Sequence, residues 1–134
     1  MANNKVISVV RSVRSWRQLE IASWIVDRFG KNAMTHLPER GARLLEEAAE
    51  AAQAAGLDPD KAAKIVADVF SRPVGDLRQE LGGVGVTLLG LAEAAHLDAD
   101  EAEVAEIERA LSMPHDVIVQ RNQAKIDRGT SALV

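Results

Sequence analysis

The segment GDLRQELGGVGVTLLGLAEA, residues 75–94, is polar for about one helical turn and then apolar on every side. A helix that is apolar all round has to be covered on every side, by its own bundle or by another subunit. Each glycine inside a helix costs about 1 kcal/mol relative to alanine, so keeping four of them indicates close approach of a neighbouring helix. These residues are Gly82, Gly83, Gly85 and Gly90. The segment therefore predicts a helical bundle that is completed by oligomerisation.

The composition of the whole chain agrees with an all-α fold. The chain has 134 residues, of which 47% are hydrophobic and 3% aromatic, so aliphatic and alanine side chains must fill its core. Alanine, leucine and glutamate dominate and alternating apolar patterns are rare, which favours helices over strands. We expect a flexible arm over residues 1–14 and a single helical domain over residues 15–134.

Helix-breaking and helix-capping residues divide that domain into about five helices. Gly30 and Gly56 are typical of helix C-termini, and Asp58 and Asp98 are typical of N-caps. The intervening stretch KNAMTHLP, residues 31–38, is expected to be a loop. The predicted helices cover residues 15–29, 38–55, 59–71, 76–95 and 98–112, and a last helical segment ends near Gly129.

Several classes of function are disfavoured by the composition. The chain has no cysteine, which excludes disulfides and thiolate metal sites and fits a reducing cytoplasm. A net charge of −4 argues against general affinity for nucleic acid or anionic membranes. The longest apolar run, residues 81–92, is shorter than the roughly 20 residues that span a bilayer. His36, His96 and His115 show no metal-ligand spacing, and we expect surface or capping roles for them.

A second unusual stretch is LLEEAAEAAQAAG, residues 44–56, in which no basic residue follows Glu46, Glu47 and Glu50. On a helix, Glu47 and Glu50 lie on one face, one turn apart. The simplest explanation is a solvated acidic face on which Arg43 pairs with Glu47. A bound cation is the alternative.

A second helix offers carboxylates that could share such a cation. Glu80 stands at the start of the apolar segment, and Asp76 lies one turn before it on the same face. Two helices that carry carboxylates at this spacing can converge on one Mg²⁺ ion, which prefers oxygen ligands. Asp76 could equally serve only as the N-cap of its helix.

The combination of SWIVDRFG (23–30), ERGARLLEEAAE (39–50) and ELGGVGVTL (80–88) resembles the MazG-like, all-α nucleoside triphosphate pyrophosphohydrolases. The signature of that family is EExxE followed downstream by ExxD. Gly83 stands where most of the family has aspartate, as in a branch that reads E-hydrophobic-GG. The resemblance covers roughly residues 15–128.

The resemblance implies a cytoplasmic enzyme that hydrolyses nucleoside triphosphates to monophosphate and pyrophosphate and works as a homodimer or homotetramer. It implies Mg²⁺, or alternatively Mn²⁺, held by Glu47, Glu50 and Glu80, with Glu46 orienting water. A carboxylate of this group, in Glu46 or Glu47, would accept the proton of that water. We add Asp76 as a candidate for the fourth metal ligand.

Candidate substrate-binding residues lie outside these two motifs. Arg121 and Lys125 share a helix stripe with Asn122 beside it, which suits a triphosphate tail but also a solvated basic surface. Arg43 could contact phosphate or hold the glutamates in place, and Trp24 could stack on a base, although a core position is more usual for a lone tryptophan.

A non-catalytic function is the alternative. In that case Gly83 records the loss of the metal site, and the chain is a weakly active or inactive helical module that senses nucleotides or binds a partner.

Overall fold

The computed structural model describes the backbone of residues 2–134 and the side chains from residue 13 onward. Over these residues the chain forms seven helices and no strand, which confirms the predicted all-α class. The helices are α1 (Ala2–Phe29), α2 (Lys31–Thr35), α3 (Leu37–Ala54), α4 (Pro59–Ser71), α5 (Leu77–Ala94), α6 (Ala99–Ser112) and α7 (His115–Asp127).

The largest differences from the sequence-based prediction lie at the N-terminal end. Helix α1 begins at Ala2 rather than near residue 15. The stretch 31–38 was wrongly predicted as a loop, because α2 forms a short helix there and packs against α1. Gly30, with φ of 88°, separates the two helices. The side chains of residues 1–12 lie outside the described residues, so the predicted flexibility of residues 1–14 stays a prediction.

Three aspartates start helices as their positions predict. The Asp58 carboxylate accepts hydrogen bonds from the amides of Asp60 at 3.0 Å and Lys61 at 3.1 Å. Asp76 accepts from the amide of Gln79 at 3.1 Å, and Asp98 accepts from that of Glu101 at 2.8 Å. Each carboxylate therefore satisfies backbone donors that a helix leaves unpaired in its first turn.

Three helices end in the same way. Gly56, His96 and Gly129 adopt positive φ angles of 91°, 57° and 72° after α3, α5 and α7. In each case the next amide donates back to a carbonyl five residues earlier, which closes the helix in a Schellman-type turn. These bonds are Leu57 to Ala52 at 3.0 Å, Leu97 to Ala92 at 2.9 Å and Thr130 to Lys125 at 2.9 Å. His96 takes the left-handed position after α5, which confirms the capping role expected for it.

His36 also caps a helix. Its Nδ1 accepts a hydrogen bond from the amide of Glu39 at 3.3 Å, in the first turn of α3. The side chain thus takes the role that serine or aspartate usually plays at an N-cap.

The chain divides into two compact units. The terminal unit consists of the segment that ends at Leu45 together with Leu111–Val134, and the central unit is Glu46–Ala110. In the terminal unit Ile25, Ala33 and Ile118 form a small buried core. In the central unit, all of which is described, no residue is buried. The described helices include none that is both long and apolar enough to cross a membrane.

The cap of α5 generates a stability prediction. A β-carbon in the left-handed region costs roughly 1–2 kcal/mol, and His96 bears that cost, whereas Gly56 and Gly129 do not. We expect His96→Gly to raise the free energy of unfolding by about 0.5–1 kcal/mol, after the greater freedom of glycine in the unfolded chain is included. Urea denaturation measures this change.

The matched control is Ala95→Gly, because Ala95 precedes the turn with an ordinary helical φ of −87°. That substitution should lower the stability. Equal effects of the two substitutions would contradict a conformational origin.

Candidate functional site

The three glutamates of the EEAAE motif lie in the last three turns of α3, within the central unit. Glu47 and Glu50 are exposed, and Glu46 is half-buried. Exposure of both Glu47 and Glu50 agrees with the expectation that they share the outward face of the helix. Both carboxylates are therefore accessible to solvent and to small ligands in the single chain.

A basic residue near these glutamates was missed in the sequence. Arg109, at the end of α6, is held by Glu106, whose Oε2 accepts from Arg109 Nε at 2.8 Å. Hydrogen bonding and attraction to Glu106 raise the pKa of Arg109, and attraction to Glu47 adds to the effect. Arg109, 62 positions later in the sequence, thus supplies part of the positive charge near Glu47, so a bound cation need not supply all of it.

Glu80 and Asp76 lie together at the start of α5. Asp76 is the N-cap, so one of its oxygens is already engaged by a backbone amide. The Oε1 atom of Glu80 lies where a β-carbon of residue 75 would stand, so Gly75 gives this carboxylate room to fold back over the helix N-terminus. The positive end of the helix dipole favours a negative charge at this place.

The four predicted metal ligands are not gathered into one site within the chain. Among the described residues, no three histidine, aspartate or glutamate side chains form a group that could hold a metal ion. Glu47, Glu50, Glu80 and Asp76 all belong to the described central unit. The residues of one chain therefore do not fit the predicted magnesium site, and that site stays a prediction.

The candidate substrate-binding residues all belong to the terminal unit. On α7, Arg121 is exposed, whereas Asn122 and Lys125 are half-buried. Trp24 on α1 is also half-buried, and its ring meets that of Phe29 edge to face, with centroids 5.6 Å apart. This contact favours the packing role over base stacking for Trp24. Its Nε1 is buried and has no hydrogen-bond partner among the described residues.

Arg43 forms a structural cluster with a buried carboxylate that was missed in the sequence. Glu39 is only 3% exposed, and its Oε1 lies 3.1 Å from Arg43 Nε. The other oxygen of Glu39 accepts a hydrogen bond from the amide of Ala132 at 2.6 Å, and Arg43 donates to the carbonyl of Thr130. Glu39 and Arg43 thus bind the backbone of residues 130–132 to the first half of α3.

Arg40 shares this environment. Desolvation lowers the pKa of Arg40, the neighbouring Glu39 carboxylate opposes this effect, and the positive charge of Arg43 adds to it. The buried Nε of Arg40 has no hydrogen-bond partner among the described residues. Two arginines thus lie near one buried carboxylate. The contacts of Arg43 with Glu39 and Thr130 were not expected from the sequence, and its predicted role toward phosphate or the motif glutamates stays a prediction.

Comparison with protein-family models, with curated proteins and with solved structures found no match to this chain.

The Glu39 cluster can be tested by separating charge from hydrogen bonding. Breaking a buried ion pair costs about 3–5 kcal/mol, because it leaves the other charge uncompensated. Since Arg43 retains some exposure, we expect Glu39→Ala to lower the unfolding free energy by about 2–3 kcal/mol, which is less than that range. Glu39→Gln should cost less, because the amide oxygen can still accept from Ala132.

Hydrogen exchange at the Ala132 amide provides a local measurement, since both variants should accelerate it, Ala more than Gln. The exposed Glu101→Ala substitution on α6 is the control and should leave that amide unchanged. Unaltered exchange in Glu39→Ala would contradict the proposed attachment of the C-terminal residues.

Asp76 has two candidate roles that respond differently to substitution. Asparagine caps helices about as well as aspartate, whereas alanine at an N-cap costs about 1 kcal/mol. If capping is the whole role, Asp76→Asn should retain stability and Mg²⁺ affinity, and Asp76→Ala should lose only stability. A weaker Mg²⁺ affinity in Asp76→Asn at unchanged stability, measured by calorimetry and urea denaturation, would establish a ligand role.

Proposed function

We propose that this chain hydrolyses nucleoside triphosphates to monophosphate and pyrophosphate. The proposal rests on the EEAAE and ELGG motifs, and the observation that carries it is the contrast between the acidic residues of α3. Glu39 is buried in a structural cluster, whereas Glu47 and Glu50 face solvent, where a ligand can reach them. Helix α3 therefore leaves Glu47 and Glu50 of the motif exposed.

The chemistry needs a base and a means of balancing phosphate charge. A water oxygen attacks the α-phosphorus, the bond from that phosphorus to the α–β bridging oxygen breaks, and pyrophosphate leaves. A carboxylate, in Glu46 or Glu47, accepts the proton of the attacking water. Arg121 and Lys125, with Asn122, are the proposed partners of the triphosphate, and Arg43 is secondary because Glu39 and Thr130 already engage it.

The proposed cofactor is Mg²⁺, with Mn²⁺ as an alternative, at Glu47, Glu50, Glu80 and Asp76. Because the single chain does not gather three of these carboxylates, no step of the reaction above is routed through the metal. The proposed active form is a cytoplasmic homodimer or homotetramer.

A second candidate function is that of a weakly active or inactive nucleotide-sensing or interaction module. The observation that favours it is the engagement of Asp76 by the Gln79 amide. The residue proposed to replace the missing aspartate at Gly83 already has a structural role, so the fourth metal ligand would be absent.

Pyrophosphate release from a panel of nucleoside triphosphates, with and without Mg²⁺, tests the proposed function. We expect Mg²⁺-dependent release by the wild type, and a loss of at least about 100-fold in Glu47→Gln, since a positioned base typically contributes that much. Glu80→Gln should also lower the rate, because it removes a proposed metal ligand. Glu93→Gln, an exposed glutamate near the end of α5, is the matched control and should retain wild-type activity.

Absence of pyrophosphate release by the wild type would reject hydrolysis, as would variants that equal the wild type. Wild-type binding of a nucleotide without turnover, measured by calorimetry, would instead support the sensing module.

A further inference from the structure

The positive and negative charges of this chain are divided unevenly between its two units. The terminal unit has eleven basic and five acidic residues, a formal charge of +6, whereas the central unit has five basic and fifteen acidic residues, a charge of −10. The expectation against nucleic acid used the whole-chain charge of −4, which hides this division. A basic unit attracts an anionic partner even when the complete chain is acidic, because salt screens the more distant charges.

Within the terminal unit, helix α1 carries a basic run. The first 19 residues of the chain contain no acidic residue and four basic ones, which are Lys5, Arg11, Arg14 and Arg17. Helical backbone continues through this run from Ala2 onward. The first acidic residue, Glu20, marks its end. Basic residues clustered along a helix are typical of proteins that bind a phosphate backbone.

A tryptophan stands exposed within this run. Trp16 is 70% exposed, although tryptophan is highly buried on average. The other tryptophan of the chain, Trp24, is half-buried and packs against the ring of Phe29. The two tryptophans therefore differ in role, and Trp16 presents an aromatic ring to solvent.

The aromatic ring and the positive charges lie next to each other on α1. At about 100° per residue, the helix surface passes from Trp16 through Val13 and Arg17 to Arg14 within about 160° of rotation. We call these four residues the Trp16 surface. Trp16, Val13 and Arg14 are exposed, and Arg17 is half-buried. A nucleic-acid base stacked on the ring would place its neighbouring phosphates beside guanidinium groups.

The position of Glu20 decides between nucleic acid and a lipid surface. Glu20 follows Trp16 by four residues and Val13 by seven, so it lies on the same side of α1. A helix that lies in a membrane interface buries its apolar side among acyl chains, and here a carboxylate would be buried with it. A nucleic-acid strand avoids this carboxylate by following α1 toward residues 1–17, where the sequence has none.

We propose that the Trp16 surface binds single-stranded nucleic acid. The partner is a single strand because a base has to leave its pair before it can stack on a tryptophan ring. The surface does not select a sequence, because every base has a face that can stack and the arginines contact phosphate. The binding does not depend on the proposed hydrolysis, and strands without a triphosphate group suffice to test it.

Fluorescence anisotropy of a labelled oligothymidine of about 20 nucleotides, titrated with the full chain at low salt, tests this surface. Trp16→Ala should weaken the affinity about 10-fold, which corresponds to the loss of one stacked base. Phe70→Ala is the matched control and should bind as the wild type does. Phe70 is 77% exposed but belongs to the acidic central unit.

The salt dependence of binding reports on the phosphate contacts separately. For a single strand, each such contact contributes about 0.7 to the slope of log affinity against log salt concentration. The double variant Arg14→Gln, Arg17→Gln should therefore lower that slope by about 1.4. The double variant Arg72→Gln, Arg78→Gln changes the net charge equally in the central unit and should leave the slope unchanged.

The fluorescence of Trp16 identifies the class of partner. In the Trp24→Phe chain Trp16 is the sole tryptophan, and unlabelled oligothymidine should quench its emission. Absence of binding at low salt would overturn the proposal, as would a Trp16→Ala chain that binds as tightly as the wild type. Phosphatidylserine vesicles that shift the emission to shorter wavelength while oligothymidine leaves it unchanged would assign the surface to lipid instead. Polyglutamate that binds as tightly as oligothymidine would assign it to an acidic protein.

Discussion

The need to cover helix α5 is the constraint on which the rest of the structure depends. A helix that is apolar on every side after its first turn is not stable in water by itself, because burial is what stabilises it. In the central unit no residue is buried, so the other helices of one chain cover α5 only in part. The small core of the terminal unit, around Ile25 and Ile118, stabilises only the other half of the molecule.

Local features of this chain could be predicted from the sequence, and features that depend on distant residues could not. Asp58 and Asp98 act as N-caps and Gly56 ends a helix, because capping involves residues only a few positions apart. Helix α2 was missed because its five residues are stabilised by packing against α1 rather than by their own propensities.

The same distinction applies to the candidate site. Glu39 looked like an ordinary acidic residue in the first turn of a helix, but its partner Ala132 is 93 positions away. Arg109, on another helix, likewise attracts Glu47. The sequence could select the motif carboxylates by type and spacing, but it could not tell which basic side chains reach them. For this reason the assignment of Glu47, Glu50 and Glu80 as metal ligands still depends on resemblance.

The terminal unit is assembled from two segments that lie far apart in the sequence, and this has a consequence for biosynthesis. Until residues 111–134 have been synthesised, the segment up to Leu45 lacks the second segment of its unit, which includes Ile118 and Ala132. Ile25, which is buried in the complete chain, therefore cannot reach its final packing until that late segment has been made. Partly folded chains with such exposed apolar residues are prone to aggregation.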